Sequence, residues 1–417
     1  MTVSDSTIQR SGIAALLAAR KPGHSLPQPF YVSDQIFALE MQAIFHRSWT
    51  MVGFEAELGR SGAYIAVTVG GSPILVLRDR NDAIVGFFNS CRHRGSKLCR
   101  DGTGRVPRIV CPYHQWTYDI DGRLLAAPRM GPDFDRTEHG LIPIRVEVVA
   151  GCIYAALSDD VPDFAEFRRT LEPALLPHNL RDGKVAHIEV MDDVANWKLV
   201  MENGRECNHC EACHPELKNV FALSDFAEGE GFADDSESGF LAQMRAAGLD
   251  QPSVERDWWQ IGRIPFVDDC MSYSVDGTPL VAKRLTDRND GNVGSLRWAI
   301  EPANFCHASG DCAVMVNVEP VSTLHTRVTT KFLVHKDAAE GVDYEVDRLI
   351  HVWDRTNRQD RALAENNQAG VNGAGYRPGP YAPDSERFVM AFIDWYLERM
   401  TSYAEASARP ASFLEKK

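Results

Sequence analysis

The chain has 417 residues, of which 44% are hydrophobic and 24% are charged, and its formal net charge at pH 7 is −14. This length is sufficient for two domains, and the composition is that of a globular protein, neither disordered nor fibrous. The negative charge argues against a general affinity for nucleic acid or for an anionic membrane, because both are negatively charged themselves. A cationic ligand is compatible with it.

No apolar stretch approaches the roughly 18 residues that a membrane-spanning helix requires. The apolar run at 13–19 is short, is flanked by Arg10 and Arg20, and is not followed by a cleavage pattern, which argues against a signal peptide. Ten cysteines are too few for a disulfide scaffold, and several lie close to histidines. We therefore expect a cytoplasmic protein whose cysteines serve metal binding.

Three regions are predicted along the chain. Residues 1–45 contain predicted helices at 12–19 and 34–46 and are interpreted as an arm packed on the larger domain at 161–417. Residues 46–160 are predicted to form a compact all-β domain, because short β-rich runs alternate with turns. These runs are AYIAVTV, PILVLR, AIVGFF, WTYDIDGRLL, PIRVEVV and CIYAAL.

Residues 161–417 are predicted to form an α+β domain, with an antiparallel sheet covered by helices. Strand-like runs occur near 186–194, 312–321 and 325–335, and helical patterns cover 343–368 and 386–400. The predicted fold class of the whole chain is therefore α+β.

The all-β region contains two Cys/His pairs. Cys91 and His93 are followed, after seventeen residues, by Cys111 and His114. Two thiolates and two imidazoles suit either a tetrahedral zinc site or a Rieske [2Fe-2S] cluster. Zinc sites commonly place two cysteines in one half and two histidines in the other, whereas here each half has one of each. The spacing therefore favours the Rieske cluster over zinc and over four unrelated residues.

Two nearby residues refine this interpretation. Cys99 lies outside the pattern and is interpreted as a buried or free thiol. Tyr113 occupies the position where Rieske proteins of respiratory complexes have an additional disulfide cysteine, so its presence favours an oxygenase or a ferredoxin.

A second group of potential ligands lies at 202–214. Cys207, Cys210 and Cys213 imitate the start of a ferredoxin motif, but Leu217 stands where the fourth cysteine is required. On a helix these cysteines are better interpreted as small packing residues. His209 and His214, with one carboxylate, would instead form the facial triad of non-haem Fe(II) oxygenases.

The alternative for His209 and His214 is a pair of surface or capping histidines. Five residues on a straight helix rotate by about 140°, so the two imidazoles converge only where the helix is distorted or ends. Pro215 makes such an end plausible. The neighbouring Rieske motif favours the iron site.

The order of these two motifs resembles that of the catalytic α subunits of Rieske non-haem iron oxygenases, from about Phe30 to Met400. The resemblance implies a helix-grip type catalytic domain, with His209 and His214 as ligands of mononuclear Fe(II) and Asp360 as the third ligand; Asp354 is the competitor. It implies that Glu206 links a Rieske histidine of one subunit to an iron-ligand histidine of its neighbour. A homotrimer follows from that arrangement.

The resemblance extends to one branch of the family. Glu206, where ring-hydroxylating dioxygenases usually have aspartate, and the runs ENGREC, VHKDAAEGVDYEVDRL and YRPGPY are similar to glycine betaine and stachydrine demethylases. This implies O2-dependent hydroxylation of an N-methyl group of a small quaternary ammonium compound, with release of formaldehyde. Asn208, where that group often has tyrosine, leaves the substrate open. The alternatives are an aromatic ring hydroxylase and a pure electron carrier.

Two further expectations concern partners. The chain has no dinucleotide-binding fingerprint and no second set of plant-type ferredoxin cysteines, so electrons from NAD(P)H are expected to arrive through a separate flavin and iron-sulfur reductase. A quaternary ammonium group donates no hydrogen bond, so its pocket should use aromatic faces. The candidates are Trp258, Trp259, Phe266, Tyr273, Phe305 and Trp353.

Overall fold

The computed structural model describes residues 15–18, 20–221, 239–249, 253–267, 269–288, 291 and 293–408. Of the helix predicted at 12–19, residues 15–18 are described and are helical, and the other four residues lie outside these ranges. Within them, no helix is both long and apolar enough to cross a bilayer.

Two further short helices precede the β-rich region: α1 (Pro29–Val32) and α2 (Asp34–Ala43). The side chain of Ser33 accepts a hydrogen bond from the backbone N–H of Ile36 and so caps the start of α2. The buried residues of both helices pack in one apolar cluster with the C-terminal helix Arg387–Ala408. This contact holds residues 26–45 against the second half of the chain.

A seven-stranded antiparallel sheet and a three-stranded sheet form the β-rich region. The first sheet has the order β1-β10-β9-β4-β3-β2-β5. The predicted run WTYDIDGRLL is divided between β7 and β8, because the chain turns at Asp119–Gly122. The strands are β1 (Thr50–Phe54), β2 (Ala63–Val69), β3 (Ser72–Arg78), β4 (Ile84–Phe88), β5 (Gly102–Arg105), β6 (Ile109–Val110), β7 (Thr117–Tyr118), β8 (Leu124–Ala126), β9 (Pro143–Val149) and β10 (Cys152–Ala156).

A second seven-stranded antiparallel sheet has the order β11-β17-β16-β15-β14-β13-β12. Its strands are β11 (Gly183–Asp193), β12 (Val254–Glu255), β13 (Trp259–Ile264), β14 (Ser295–Ile300), β15 (Asn304–Ala308), β16 (Cys312–Ser322) and β17 (His325–His335). The remaining helices are α3 (Ala165–Leu175), α4 (Trp197–Asn203), α5 (Cys210–Cys213), α6 (Gly239–Ala246), α7 (Val346–Val371) and α8 (Arg387–Ala408).

The two faces of this sheet have different neighbours. One face shares a single apolar core with β1 and β10, and within that core the indole N–H of Trp298 donates to the hydroxyl of Tyr154 at 3.2 Å. The other face packs against α7, whose buried Leu349, Val352 and Trp353 recur at helical spacing. The predicted α+β fold class is thus confirmed, with helix α7 lying on an antiparallel sheet.

Candidate active site

Two similar loops present the first set of Cys and His side chains. In each loop the cysteine carbonyl accepts a backbone hydrogen bond that closes a tight turn, from Gly95 to Cys91 at 2.9 Å and from Gln115 to Cys111 at 3.1 Å. Gly95 and Gln115 both have positive φ, +75° and +61°. Left-handed backbone at these positions turns the chain back, so that the cysteine and the following histidine point the same way.

The four side chains of these loops converge. Nδ1 of His93 lies 3.2 Å from Nδ1 of His114. Cys91 and Cys111 are buried at 3% and 1% exposure, whereas the two histidines are partly exposed. Two inner thiols and two outer imidazoles are the donor set of a Rieske cluster, with the histidines on its solvent side. Cys99 is a buried free thiol outside this set.

The backbone around His209 is an interrupted helix, as the convergence of His209 and His214 requires. Helix α4 ends at Asn203, the chain turns through 204–209, and the one-turn helix α5 ends at Cys213. His214 has φ −118° and ψ 73°, outside the helical region, because a residue that precedes proline is disfavoured there. This interruption allows the rings of His209 and His214 to approach, with centroids 5.0 Å apart.

The bonding of the cysteines in this segment was not predicted. Cys207 and Cys210 are joined by a disulfide, whereas Cys213 is a free thiol. The turn that begins α5 brings the two cysteines together, since the N–H of Cys210 donates to the carbonyl of Cys207 at 3.1 Å. Cys207 and Cys210 both pack in the apolar cluster that includes residues of α7, as the sequence predicts, but the disulfide between them was not predicted.

Asp360 on α7 is the carboxylate that contacts both imidazoles of the second site. One oxygen, Oδ1, lies 3.2 Å from Nε2 of His209 and 3.0 Å from Nε2 of His214. Asp354 forms an ion pair with Arg358 instead. Of the two aspartates considered, Asp360 is the one that the structure places against both imidazoles.

The Nδ1 atoms of both imidazoles, which are not the atoms in contact with Asp360, are also hydrogen-bonded. Nδ1 of His209 lies 2.5 Å from Oε1 of Glu206, and Nδ1 of His214 lies 2.8 Å from Oε1 of Gln359. Burial lowers the pKa of His209, but its hydrogen bonds to Asp360 and Glu206 outweigh burial and raise that pKa to about 10. The site therefore attracts positive charge, which a divalent metal ion supplies better than protons.

A cavity of about 1360 Å³, including its open mouth, adjoins this site between the sheet and α7. Phe305 and Trp353 line it, as expected. Trp258 and Trp259 do not, because they lie in the core on the opposite side of the sheet. Phe266 and Tyr273 pack behind the cavity wall, in ring contact with the lining residue Phe221.

Several lining residues were not anticipated from the sequence. Arg205, Arg297 and His307 face this cavity, and Gln359 orients His214 from outside it. Strand alternation places Arg297 on the face opposite to Leu296. That alternation was the available signal, but it does not reveal which face borders a cavity.

Comparison with known proteins assigns both halves of the chain. Residues 48–149 match the Rieske [2Fe-2S] domain, and residues 180–402 match the ring hydroxylating alpha subunit (catalytic domain). The chain is 41% identical to the glycine betaine monooxygenase oxygenase subunit of Pseudomonas aeruginosa (strain UCBPP-PA14), over 94% of this chain and 92% of that protein.

Solved structures show the same fold at low identity. A quaternary ammonium Rieske monooxygenase has a TM-score of 0.70 at 22% identity, covering 92% of this chain and 98% of that one. Naphthalene 1,2-dioxygenase from Rhodococcus sp. has a TM-score of 0.67 at 17% identity, covering 96% and 99%. Because both classes share it, the fold alone does not distinguish an ammonium substrate from an aromatic one.

The donor sets fit the cofactors of this family. Two buried thiols and two imidazoles converge in the region that matches a Rieske [2Fe-2S] domain. Two imidazoles and one carboxylate converge in the catalytic domain, a set suited to mononuclear Fe(II) that reacts with dioxygen. The chain therefore belongs to the Rieske non-haem iron oxygenase α subunits.

Proposed function

We propose that this chain is the terminal oxygenase that removes an N-methyl group from glycine betaine. The observation that carries the proposal is the 41% identity, over 94% of the chain, to a glycine betaine monooxygenase oxygenase subunit. The aromatic lining residues Phe221 and Trp353 support a cationic methylammonium group as the reacting part.

In this proposal the cofactors are held by the residues whose side chains converge. Cys91, His93, Cys111 and His114 hold the cluster. His209, His214 and Asp360 hold the iron. When bound, the cluster supplies electrons one at a time and the mononuclear iron activates dioxygen.

The overall reaction balances as follows. One methyl C–H, dioxygen, two electrons and two protons yield an N-hydroxymethyl group and water. The C–N bond of that group then breaks, nitrogen keeps the electron pair, the hydroxyl proton is released and formaldehyde leaves. The electrons come from NAD(P)H through a separate reductase, as expected for a protein related to an oxygenase subunit.

The protein side chains position these groups. Glu206 accepts from Nδ1 of His209 and Gln359 accepts from Nδ1 of His214, so that both Nε2 atoms point toward Asp360. The neutral, apolar aromatic rings of the cavity exclude water and keep the methyl groups against the site.

We further propose a homotrimer in which Glu206 links the two centres across a subunit interface. His114 is partly exposed, and the neighbouring Tyr113 is 58% exposed. The histidine side of the Rieske site thus lies at the molecular surface, where a neighbouring subunit can contact it. Sedimentation at the mass of three 46.4 kDa chains is the expected result.

The activity is tested with the full chain, loaded with iron and its cluster and supplied with NADH, oxygen and a surrogate reductase. Glycine betaine, stachydrine, carnitine, choline and naphthalene are offered separately, and formaldehyde and product mass are measured. Formaldehyde with loss of one methyl group from glycine betaine is the expected result. Oxygen gain by naphthalene, with no formaldehyde from any ammonium compound, would overturn the proposal in favour of ring hydroxylation.

A further inference from the structure

A disulfide encloses one of the two histidines of the second site. Cys207 and Cys210 are joined to each other, and Asn208 and His209 are the two residues between them. Both cysteines line the cavity, together with His209 and His214. Cys207 is half-buried, so a small reductant that enters the open cavity can reach the S–S bond. Any change in this disulfide therefore occurs beside the metal donors.

The sulfur of Cys210 already faces these donors. It lies 4.0 Å from Nε2 of His209, and the donor atoms of His209, Cys210 and His214 all lie within 4.8 Å of one another. Oδ1 of Asp360 is 3.2 Å and 3.0 Å from the Nε2 atoms of the two imidazoles. Two nitrogens, one carboxylate oxygen and one sulfur are thus grouped together.

This grouping approaches the geometry of a zinc site. In a tetrahedral site, Zn–S and Zn–N bonds of about 2.3 Å and 2.0 Å place sulfur and nitrogen roughly 3.5 Å apart. The 4.0 Å between Sγ of Cys210 and Nε2 of His209 exceeds that distance slightly. A thiol released from Cys207 can rotate about its Cα–Cβ bond and close the difference. Cysteine, histidine and aspartate are all zinc ligands in proteins.

The two oxidation states of the cysteines offer different ligands to a metal ion. The sulfur of a disulfide is not a thiolate, and the thiolate is the form of cysteine that binds metals. The oxidised chain therefore offers His209, His214 and Asp360, a set with open positions that suits Fe(II). The reduced chain adds Sγ of Cys210 as a fourth donor. A set of four donors that includes a soft thiolate favours Zn(II), which has no redox chemistry.

The disulfide is not needed to form the turn around His209. The carbonyl of Cys207 accepts from the N–H of Cys210 at 3.1 Å, and the carbonyl of Cys210 accepts from the N–H of His214 at 2.8 Å. A bond between residues only three positions apart also removes little chain entropy. In the reducing compartment that we expect for this chain, disulfides are usually transient and redox-active. A purely structural role therefore explains this disulfide poorly.

We propose that Cys207 and Cys210 form a reversible redox switch, in which reduction makes Cys210 a zinc ligand and shifts the metal preference from Fe(II) toward Zn(II). Oxidation keeps the site selective for iron, and reduction inactivates the oxygenase. The switch concerns the metal and not the substrate, and it rests on the part of the proposed function that assigns His209, His214 and Asp360 as iron ligands.

A dithiol is the one co-reactant that the switch requires. The dithiol gives two electrons and two protons to the S–S bond, which breaks, and the dithiol itself becomes a disulfide. Cys207 and Cys210 each end as a thiol. When zinc binds, Cys210 releases its proton to water. Fe(II) leaves the site with its charge unchanged, so the exchange of metals involves no further electrons.

The test uses the full chain with its Rieske cluster, after a chelator has removed the mononuclear metal. Cys207→Ser leaves Cys210 as a free thiol, whereas Cys207→Ser/Cys210→Ala lacks both sulfurs, so the two differ in the one sulfur that matters. Cys213→Ser is the control, because Cys213 is a free thiol and its loss leaves the disulfide in place. Wild type reduced with a phosphine, which is then removed, makes the same comparison without any substitution.

Metal buffers that contain both ions, used without oxygen, give the ratio of the Zn(II) affinity to the Fe(II) affinity. X-ray absorption at the zinc K edge identifies the atoms bound to zinc, and the Rieske cluster, which holds only iron, does not interfere. Thiol counts establish the state of the cysteines. The Rieske absorption and the melting temperature establish that each variant is folded.

The affinity ratio should rise at least about 10-fold in Cys207→Ser and in the reduced wild type. A direct thiolate ligand should matter at least as much as the outer-shell partners that change metal affinity by roughly 10- to 100-fold. Zinc in both samples should have one sulfur neighbour at about 2.3 Å. The oxidised wild type, the double variant and Cys213→Ser should have the lower ratio and no sulfur neighbour.

Equal ratios in folded Cys207→Ser and in the double variant overturn the switch, as does zinc without a sulfur neighbour. If Cys207→Ser does not fold, the reduced wild type decides in the same way. A disulfide that does not form in the oxidised wild type, or that the phosphine does not reduce in the folded chain, also overturns it. A wild type that binds neither Fe(II) nor Zn(II) beyond its cluster instead overturns the iron site of the proposed function.

Discussion

Gln359 accepts a hydrogen bond from Nδ1 of His214 at 2.8 Å. The next residue of the same helix, Asp360, contacts Nε2 of that imidazole at 3.0 Å. Two consecutive side chains of α7 thus hold one ring from its two nitrogens. Gln359 is itself fixed, because its Nε2 donates to Glu216 at 2.9 Å. The ring therefore has a defined orientation before any metal binds.

We expect Gln359→Leu to weaken binding of the mononuclear iron by roughly 10- to 100-fold, because the imidazole of His214 loses the acceptor that orients it. Competition with a chelator of known Fe(II) affinity measures this change. Arg358→Leu, on the neighbouring exposed position, is the control. Unaltered affinity in Gln359→Leu would show that His214 needs no such support.

Asp360→Ala should reduce the iron content from about three to about two atoms per chain, because the facial triad loses its carboxylate while the cluster keeps its ligands. Turnover should be lost and the Rieske absorption kept. Asp354→Ala is the matched control on the same helix and should keep all three iron atoms. Iron analysis and visible spectra measure both variants. If Asp354→Ala loses iron instead, the assignment of the third ligand is wrong.

Glu206→Gln should slow turnover by roughly 10- to 100-fold, because the neutral amide no longer holds Nδ1 of His209 as strongly. The measurement is the rate at which the reduced Rieske absorption is lost in a single turnover with substrate and oxygen, at verified iron content. Exposed Glu211, changed to Gln, is the control. A wild-type rate in Glu206→Gln would remove Glu206 from any role in linking the centres.

The free energy of unfolding should depend on pH through the carboxyl group of Glu202. Burial raises its pKa to about 7, although Tyr31 and Tyr381 donate to its carboxylate at 2.8 Å and 3.0 Å. Because the folded-state pKa lies above the unfolded value of 4.5, the stabilisation is complete below about pH 4.5 and is lost as pH rises through about 7.

We therefore expect the free energy of unfolding of the wild type to fall by up to about 3 kcal/mol between pH 4.5 and 8 relative to that of Glu202→Gln, in which residue 202 does not titrate. Urea unfolding at several pH values measures the difference. The surface variant Glu211→Gln should follow the wild type. Parallel pH profiles of the wild type and Glu202→Gln would contradict the raised pKa.

Local patterns in the sequence were enough to propose the two Cys/His pairs and the two histidines of the second site, whereas Asp360 was proposed from the family resemblance. Cys91 and His93, and likewise Cys111 and His114, are close neighbours in the chain, so a tight turn is sufficient to bring each pair together. Three of the seven strands of the second sheet were also predicted: β11, β16 and β17 lie close to the runs at 186–194, 312–321 and 325–335. Strands β12 to β15 were not predicted.

The residues that line the cavity could not be predicted from local sequence patterns. Both faces of the second sheet are buried, one in the core shared with Tyr154 and one beneath α7. Alternation divides a strand into two faces but does not name the face that borders a cavity when both are apolar. Trp259 was consequently predicted to line the cavity but lies in the core, whereas Arg297 lines the cavity and was not considered.

The sequence by itself determined the family, the order of its two donor sets and the α+β class, because these depend on residue types at short spacings. The tertiary structure alone decided which side chains meet. His209 and Asp360 are 151 residues apart, and only the packing of α7 on the sheet brings Oδ1 within 3.2 Å of Nε2. The same packing places Arg297 and Trp353 in the lining of one cavity, since a cavity is formed by surfaces that are distant in the chain.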